Sequence, residues 1–154
     1  MSPRSPRAPD RASAYAATLL RISLGTMYLA HGIVLKGLTF GLAGTAGYFG
    51  SLGLPPLLAY ATFAAEAIGG TLLVLGIWSR WTALALTPVL VGALCVHAVN
   101  GWVFTAPGGG WEYPLLLLVL SLVQALLGDG AYAMRPARAP APRADASSMS
   151  GQAA

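Results

Sequence analysis

Four ionisable side chains, two histidines and two glutamates, lie in or beside separate apolar segments of a chain with few other charges. They are His31, Glu66, His97 and Glu112. Histidine titrates near neutral pH, and a carboxylate removed from water holds its proton more tightly, so such groups can exchange protons with a small molecule. Imidazole and carboxylate are also ligands of zinc and iron. The residue types therefore fit proton transfer or metal binding, depending on how the segments bring them together.

Of these residues, Glu66 has the highest free-energy cost of burial in a membrane. It lies near the middle of an apolar run from Leu57 to Ile77. At about 1.5 Å per helical residue, that run is long enough to cross a bilayer. A carboxylate at this depth costs on the order of 3 kcal/mol, and such residues usually face protein or water beside a partner. We therefore expect Glu66 to be paired inside a bundle.

The composition indicates an integral membrane protein. Of 154 residues, 56% are apolar and only 9% are charged, against about 25% charged in soluble domains. The length suits one compact bundle, and the single cysteine, Cys95, excludes an intramolecular disulfide or a CxxC pair. The net charge of +4 comes mostly from the tails. We interpret it as a topology signal that faces anionic lipid, and it does not indicate a nucleic-acid partner.

The apolar pattern predicts an all-α chain, a four-helix transmembrane bundle with a short interfacial or re-entrant segment between helices 1 and 2. A basic N-terminal tail, 1–13, and a Pro/Ala-rich C-terminal tail, 135–154, are predicted to be disordered, which leaves 14–134 as the membrane domain. The predicted spans are approximately 15–35, 57–77, 81–99 and 111–127, and the Gly-rich intervening segment is 37–54.

Basic residues predict the orientation, because cytoplasmic segments are enriched in arginine and lysine. One side of the predicted bundle carries the arginines, and the other side carries Lys36 alone. The arginines are Arg4, Arg7, Arg11, Arg80, Arg135, Arg138 and Arg143. Both termini are therefore predicted to be cytoplasmic, in a multi-pass protein of the cytoplasmic membrane. With this topology the four ionisable groups all fall in the outer half of the bilayer.

Three interpretations of this cluster remain open. In the first, Glu66, His31 and His97 are catalytic proton carriers beside a small apolar ligand such as a quinone, and Glu112 forms the outer mouth of the pocket. In the second, the same side chains hold a metal, although no compact metal-binding motif is present. In the third, they only hydrogen-bond across helices, at about 0.6 kcal/mol per bond. Arg21 lies nearer the cytoplasmic side and either snorkels or turns toward a carboxylate, and Tyr28 lines up with it; both are candidate ligand contacts.

A set of motifs runs through the apolar part of the chain. It comprises Leu20-Arg21 through Gly25, His31-Gly32, Lys36, Gly50 to Pro55, Glu66 with Gly69, Gly70, Leu75 and Gly76, and the later Arg80 and His97. In these motifs the chain resembles the DoxX family of small bacterial and archaeal membrane proteins, over approximately residues 15–134. The resemblance implies a four-helix membrane bundle. The family takes its name from a subunit of a thiosulfate:quinone oxidoreductase, and other members are linked to thiol and oxidative-stress handling.

The resemblance implies an oxidoreductase subunit or partner in quinone-linked redox chemistry. Because the sequence shows no cysteine pair and no fused redox domain, we expect the electron donor to be a separate soluble redox protein or a small molecule. The alternative is a non-catalytic membrane scaffold that docks redox or stress-response proteins. In that case the buried polar groups would only lock the helices together.

Overall fold

The protein is built from helices. The computed structural model describes residues 11–135, and its α-helices confirm the predicted all-α class. In chain order they are α1 Arg11–Leu29, α2 Gly41–Ser51, α3 Leu57–Leu75, α4 Ser79–His97 and α5 Glu112–Leu127. A π-helix, Ala30–Thr39, continues α1 directly, and a 3₁₀ turn, Ala98–Asn100, continues α4.

Three of these helical segments are long and apolar enough to cross a membrane. They are α1 with its π-helical continuation, α3, and α4 with its 3₁₀ turn. The apolar helix α5 has 16 residues and is shorter than a typical span. The Gly-rich segment before α3 contains α2, which has 11 residues.

The ends of the described region differ from the predicted boundaries. The helix α1 begins at Arg11, inside the segment predicted to be a tail. Arg135, the first residue of the predicted C-terminal tail, bonds through its backbone to the turn between α3 and α4, at Gly76 and Trp78. The rest of both predicted tails, 1–10 and 136–154, lies outside the described residues.

Local sequence sets the limits of α3. Pro56 stands at its N-cap, where a missing N–H costs nothing because the first turn has no intrahelical partners. Gly76 ends the helix with φ +71, in the left-handed conformation that glycine adopts without strain. The Ile77 N–H then donates to the Leu72 carbonyl at 2.9 Å, which closes the helix as a Schellman motif.

The bundle has two ends, the terminal end and the loop end. At the terminal end, α1 and α4 begin and α3 and α5 finish, and Asp129 accepts a hydrogen bond from the Ser79 N–H at 2.7 Å. At the loop end lie the π-helix, α2 and the loop 101–111. Between them a core of buried apolar residues joins α1, α3, α4 and α5. It comprises Leu24, Tyr28, Leu73, Ala83, Leu86, Leu90 and Ala125.

Small residues allow α1 and α3 to cross closely. A Cβ added at Gly70 would lie 2.9 Å from the Gly25 carbonyl oxygen and 3.0 Å from Leu29 Cγ. A Cβ added at Gly32 would lie 2.9 Å from Glu66 Cβ. Such contacts are closer than side chains tolerate, so glycine at these positions fixes the interhelical distance. This crossing places the backbone of Gly32 directly against Glu66.

We therefore expect Gly70→Ala to destabilise the fold by about 1–3 kcal/mol, because the new methyl group must push α1 away from α3. The matched control is Gly44→Ala in α2, where an added Cβ meets nothing within 4 Å. That change should be neutral or slightly stabilising, since alanine favours helix by up to about 1 kcal/mol. Thermal unfolding in detergent micelles measures both. Equal stability of the two variants would contradict the close crossing.

Candidate functional site

Glu66 is paired with Lys36. The Lys36 Nζ donates to Glu66 Oε2 at 2.6 Å, and the two side chains are 19% and 6% exposed. A charged hydrogen bond of this length in a poorly hydrated site is strong, and each ion offsets the cost of burying the other. Glu66 was expected to have a partner, and the structure shows that this partner is Lys36, a residue of the π-helix that continues α1.

Side-chain direction explains how these two residues meet. Helical side chains slope toward the N-terminus of their own helix. The π-helix and α3 run in opposite directions, and Gly32 lies opposite Glu66. Lys36, four residues further along, slopes back toward Gly32, while Glu66 slopes toward the loop end. The two charged groups therefore lean toward each other across the crossing.

The π-helical geometry brings His31 toward the side of the helix that carries Lys36. His31 and Lys36 are five residues apart, which would place them about 140° apart around an α-helix. The wider turn of a π-helix reduces that angle, and π-helical segments occur frequently at functional sites. The helix α2 supports this segment, because the Thr45 hydroxyl donates to the Lys36 carbonyl at 3.2 Å. A local distortion of the backbone thus shapes the site.

His31 is held by Met27 and Tyr113 in the neighbourhood of Glu66. Its Nδ1 is 2.8 Å from the Met27 carbonyl oxygen, so Nδ1 carries the proton and Nε2 is the acceptor in the neutral ring. The imidazole stacks on the Tyr113 ring, with centroids 6.0 Å apart, and the Tyr113 hydroxyl donates to Met27 Sδ at 3.5 Å. His31 is half-buried and close enough to Glu66 to interact with it electrostatically. The ring therefore connects the buried pair with the apolar surroundings.

His97 and Glu112 have their described partners in the loop 101–111. The His97 Nδ1 is 3.0 Å from the carbonyl oxygens of both Gly108 and Gly109. Glu112 accepts a hydrogen bond from the Phe104 N–H at 2.8 Å. No hydrogen bond or ion pair described for residues 11–135 joins either side chain to Glu66. The structure thus brings His31 to Glu66 and ties His97 and Glu112 to the loop, so their catalytic and ligand-binding roles stay predictions.

Arg21 and Tyr28 contact other parts of the bundle. Arg21 is 1% exposed and donates to the carbonyl oxygens of Leu73 at 3.2 Å and Val74 at 3.4 Å, in the last turn of α3. It also donates to the Ala131 carbonyl at 3.3 Å. The Tyr28 hydroxyl lies 3.1 Å from the Ser121 hydroxyl of α5, and its ring is close enough to Glu66 for an electrostatic interaction. Arg21 thus holds the terminal end, and Tyr28 lies between that end and Glu66.

The arrangement combines an ion pair with an imidazole. Among residues 11–135, no three His, Cys, Asp or Glu side chains are grouped so that they could share a metal ion. The ion pair and the imidazole instead provide an acceptor, a donor and a titratable ring within one small region. Within the buried pair, a proton transferred to Glu66 removes the counter-charge of Lys36 and so frees the ammonium to donate elsewhere.

Sequence reasoning missed Lys36 and Tyr113 as members of the site. The sequence analysis gives Lys36 a topological role and a place among the motifs of the family resemblance, but no place in the site, although it is the sole basic residue on the predicted outer side of the bundle. A buried carboxylate needs a counter-charge, so that single lysine was the available signal. Tyr113, next to Glu112 at the start of α5, had no comparable signal, because a tyrosine near a helix end usually marks a membrane interface.

The helices and the ion pair indicate the class of protein. Apolar helices of membrane-spanning length, crossing at glycines around a buried ion pair, are typical of a small integral membrane protein. Residues 16–99 match the model of the DoxX family, and the chain belongs to that family.

Two curated relatives cover most of the chain. A Bacillus subtilis (strain 168) protein named "Putative oxidoreductase CatD" is 34% identical over 119 residues, which are 77% of this chain and 83% of the relative. An uncharacterized protein of Haemophilus influenzae (strain ATCC 51907 / DSM 11121 / KW20 / Rd) is 34% identical over 122 residues, which are 78% of this chain and 88% of the relative. No solved structure matches the chain.

Proposed function

We propose that this protein is a membrane subunit of a quinone-linked redox system, in which Glu66 accepts and delivers protons with the help of Lys36 and His31. The observation that carries the proposal is the buried Glu66–Lys36 pair beside the half-buried His31–Tyr113 stack. Intramembrane ionisable pairs of this kind often mark proton relays and ligand sites. The oxidoreductase name of the Bacillus subtilis relative agrees with this class of chemistry.

Reduction of a quinone needs two electrons and two protons. In the proposed step Lys36 donates one proton to a quinone oxygen and is reprotonated by a proton that Glu66 has collected. The second proton reaches the other quinone oxygen in the same way, after Glu66 has collected another. The stacked rings of His31 and Tyr113 provide an aromatic surface for the apolar quinone ring. The electrons come from a separate donor, a soluble redox protein or a reduced sulfur compound such as thiosulfate or a thiol. The quinone reaches the stack from the lipid.

In this proposal the chain crosses the cytoplasmic membrane four times, with both termini in the cytoplasm. The helix α5 supplies the fourth span, since it packs along α4 and α1 despite its 16 residues. The short helix α2 rests on the π-helix through Thr45 and lies at the outer interface. Arginines cluster at the terminal end, which supports a cytoplasmic position for that end.

A non-catalytic scaffold is the second candidate. The observation that favours it is that His97 and Glu112, two of the four predicted site residues, bond to backbone atoms of the loop 101–111. The Lys36–Glu66 ion pair would then only hold the π-helix against α3. In that case the loop end presents a fixed surface to a soluble partner, and no proton transfer takes place.

The substitution Glu66→Gln separates these candidates, because the amide keeps the size of the side chain and one acceptor but cannot take up the proton. We expect thiosulfate- or thiol-dependent quinone reduction in membranes to fall about 100-fold, the usual worth of a positioned acid–base group. Glu112→Gln makes the same chemical change in a carboxylate that bonds to the loop, and we expect it to leave most of the rate.

A fall in rate must be distinguished from a fall in the amount of folded protein, so the variants are compared at equal abundance and equal thermal stability in detergent. Unchanged quinone reduction in a folded Glu66→Gln protein contradicts the proton-handling proposal and favours the scaffold. A loss in Glu112→Gln as large as in Glu66→Gln would return Glu112 to the site.

A further inference from the structure

A row of buried polar residues runs from the neighbourhood of Glu66 toward the terminal end, and the proposed quinone chemistry at Glu66 does not use it. We name these residues the polar track: Tyr28, Ser79, Ser121, Gln124 and Asp129. Each is buried, and Ser79, Ser121 and Gln124 are 0% exposed. Polar side chains are unusual in the core of a bundle that lies in lipid, where they tend to mark ion or proton pathways.

The residues of the polar track follow one another from Glu66 toward the terminal end. Tyr28 interacts electrostatically with Glu66, and its hydroxyl is 3.1 Å from that of Ser121. Gln124 follows Ser121 by three residues, on the same face of α5. The Gln124 Nε2 donates to the Gly128 carbonyl at 2.6 Å, next to Asp129, whose carboxylate accepts from the Ser79 N–H at 2.7 Å.

Three buried atoms along this route have no hydrogen-bond partner within the described residues. They are Ser79 Oγ, Gln124 Oε1 and Arg21 Nε. An unsatisfied buried polar group costs about 1–3 kcal/mol, and buried waters commonly satisfy such groups. Arg21 lies beside Asp129, which offsets its charge, and its Nη atoms are engaged by backbone carbonyls. The terminal end thus holds a small, strongly polar interior that suits water.

We propose that the polar track, bridged by internal water, conducts protons between the terminal end and Glu66. The inference rests on the proposed function, because it identifies a source for the proton that Glu66 delivers. A proton enters at Asp129 and passes through water held by Ser79 and Gln124. Ser121 and Tyr28 each accept one proton and release another, so neither hydroxyl changes charge, and the proton ends on Glu66. The helical rise from Ser121 to Gly128 is about 10 Å, a third of the hydrocarbon thickness.

The test is infrared spectroscopy of the protein in liposomes after a rapid drop in pH. The difference between wild type and Glu66→Gln identifies the C=O band of the protonated Glu66 carboxyl, and its rise time reports how fast protons reach it. We expect Ser121→Ala and Gln124→Leu to slow that rise about tenfold, the effect of a modest added barrier. Ser121→Thr keeps a hydroxyl and should restore the rate. The matched control is Ser23→Ala, which deletes an exposed hydroxyl of α1.

The outcomes distinguish the two proposals. A Glu66 band that rises equally fast in wild type, Ser121→Ala and Gln124→Leu overturns the path and leaves the role of Glu66 intact. A wild-type protein in which no Glu66-dependent band changes with pH overturns the proposed function together with the path. If Gln124→Leu does not fold, the Ser121→Ala and Ser121→Thr pair still decides, because both substitutions are small.

Discussion

Lys36→Met is expected to lower the free energy of unfolding by about 3–5 kcal/mol, the usual cost of breaking a buried ion pair by removing one partner. Methionine matches the length of the lysine stem, so the packing of the stem is retained and the charge is lost. The Glu66 carboxylate, 6% exposed and 2.6 Å from the ammonium, is then left without its counter-ion. The other ionisable side chain that interacts electrostatically with it is the half-buried His31. Reversible unfolding in mixed detergent micelles measures the change.

The double variant Lys36→Met/Glu66→Leu provides the control. Replacing both ions of a buried pair by apolar residues is often neutral or stabilising, so we expect the double variant to recover most of the lost stability. This non-additivity is the signature of a direct pair. Equal losses in the single and double variants would show that Lys36 and Glu66 stabilise the fold independently. The double variant should have no proton-transfer activity even though it is stable, which separates folding from function.

The helices could be predicted from the sequence because their signals are local. Apolar runs of membrane-spanning length fixed α3 and α4 to within about two residues, in line with the usual uncertainty of helix ends. The proline pair before Leu57 marks the start of α3, and Gly76 marks its end. Glycines 25, 32 and 70 lie where α1 with its π-helical continuation crosses α3 closely.

The membership of the site was harder to predict, because depth along a helix does not determine direction around it. His97 ends α4, and the Gly-rich loop after it has backbone carbonyls that need donors. Those carbonyls, at Gly108 and Gly109, are only 11 and 12 residues away and bind the ring. Glu112 is likewise bound by the Phe104 N–H. A backbone partner close in sequence is available to these side chains at little entropic cost. The similar predicted depth of the four ionisable residues gave no information about such local partners.

The pairing of Glu66 depended on two features that a single sequence does not display. One is the π-helical backbone of Ala30–Thr39, which changes which side chains share a face relative to a regular α-helix. The other is the slope of the two side chains toward each other across antiparallel segments. Both are properties of the assembled crossing at Gly32, so the one available signal for Lys36 was that it is the sole basic residue on the predicted outer side.

Arg21→Met is expected to cost about 3 kcal/mol of stability, because one guanidinium holds together three chain segments at the terminal end. It donates to the Leu73 and Val74 carbonyls, at the negative end of the α3 dipole, and to the Ala131 carbonyl after α5. Charged hydrogen bonds of this kind contribute about 1.5–3 kcal/mol each. Arg21→Lys keeps the charge but has a single ammonium in place of the planar fork, so we expect partial rescue. Thermal unfolding in detergent measures all three proteins.

Gly76 provides an independent test of the same contact. A Cβ at this position would collide with Arg21 Nη1, and the residue has φ +71. Gly76→Ala should therefore carry about 1–2 kcal/mol for the left-handed backbone and further steric costs, from the guanidinium and from Ala133 Cα, which would lie 2.7 Å from the new Cβ. In the Arg21→Met background the guanidinium is gone, so its share of the steric cost should disappear, while the backbone cost and the contact with Ala133 remain. If Gly76→Ala costs the same in both backgrounds, Arg21 does not occupy the last turn of α3. A smaller cost in Arg21→Met shows that the buried arginine and the helix-ending glycine act as one unit, which fixes the end of α3 and with it the depth of Glu66, ten residues before Gly76.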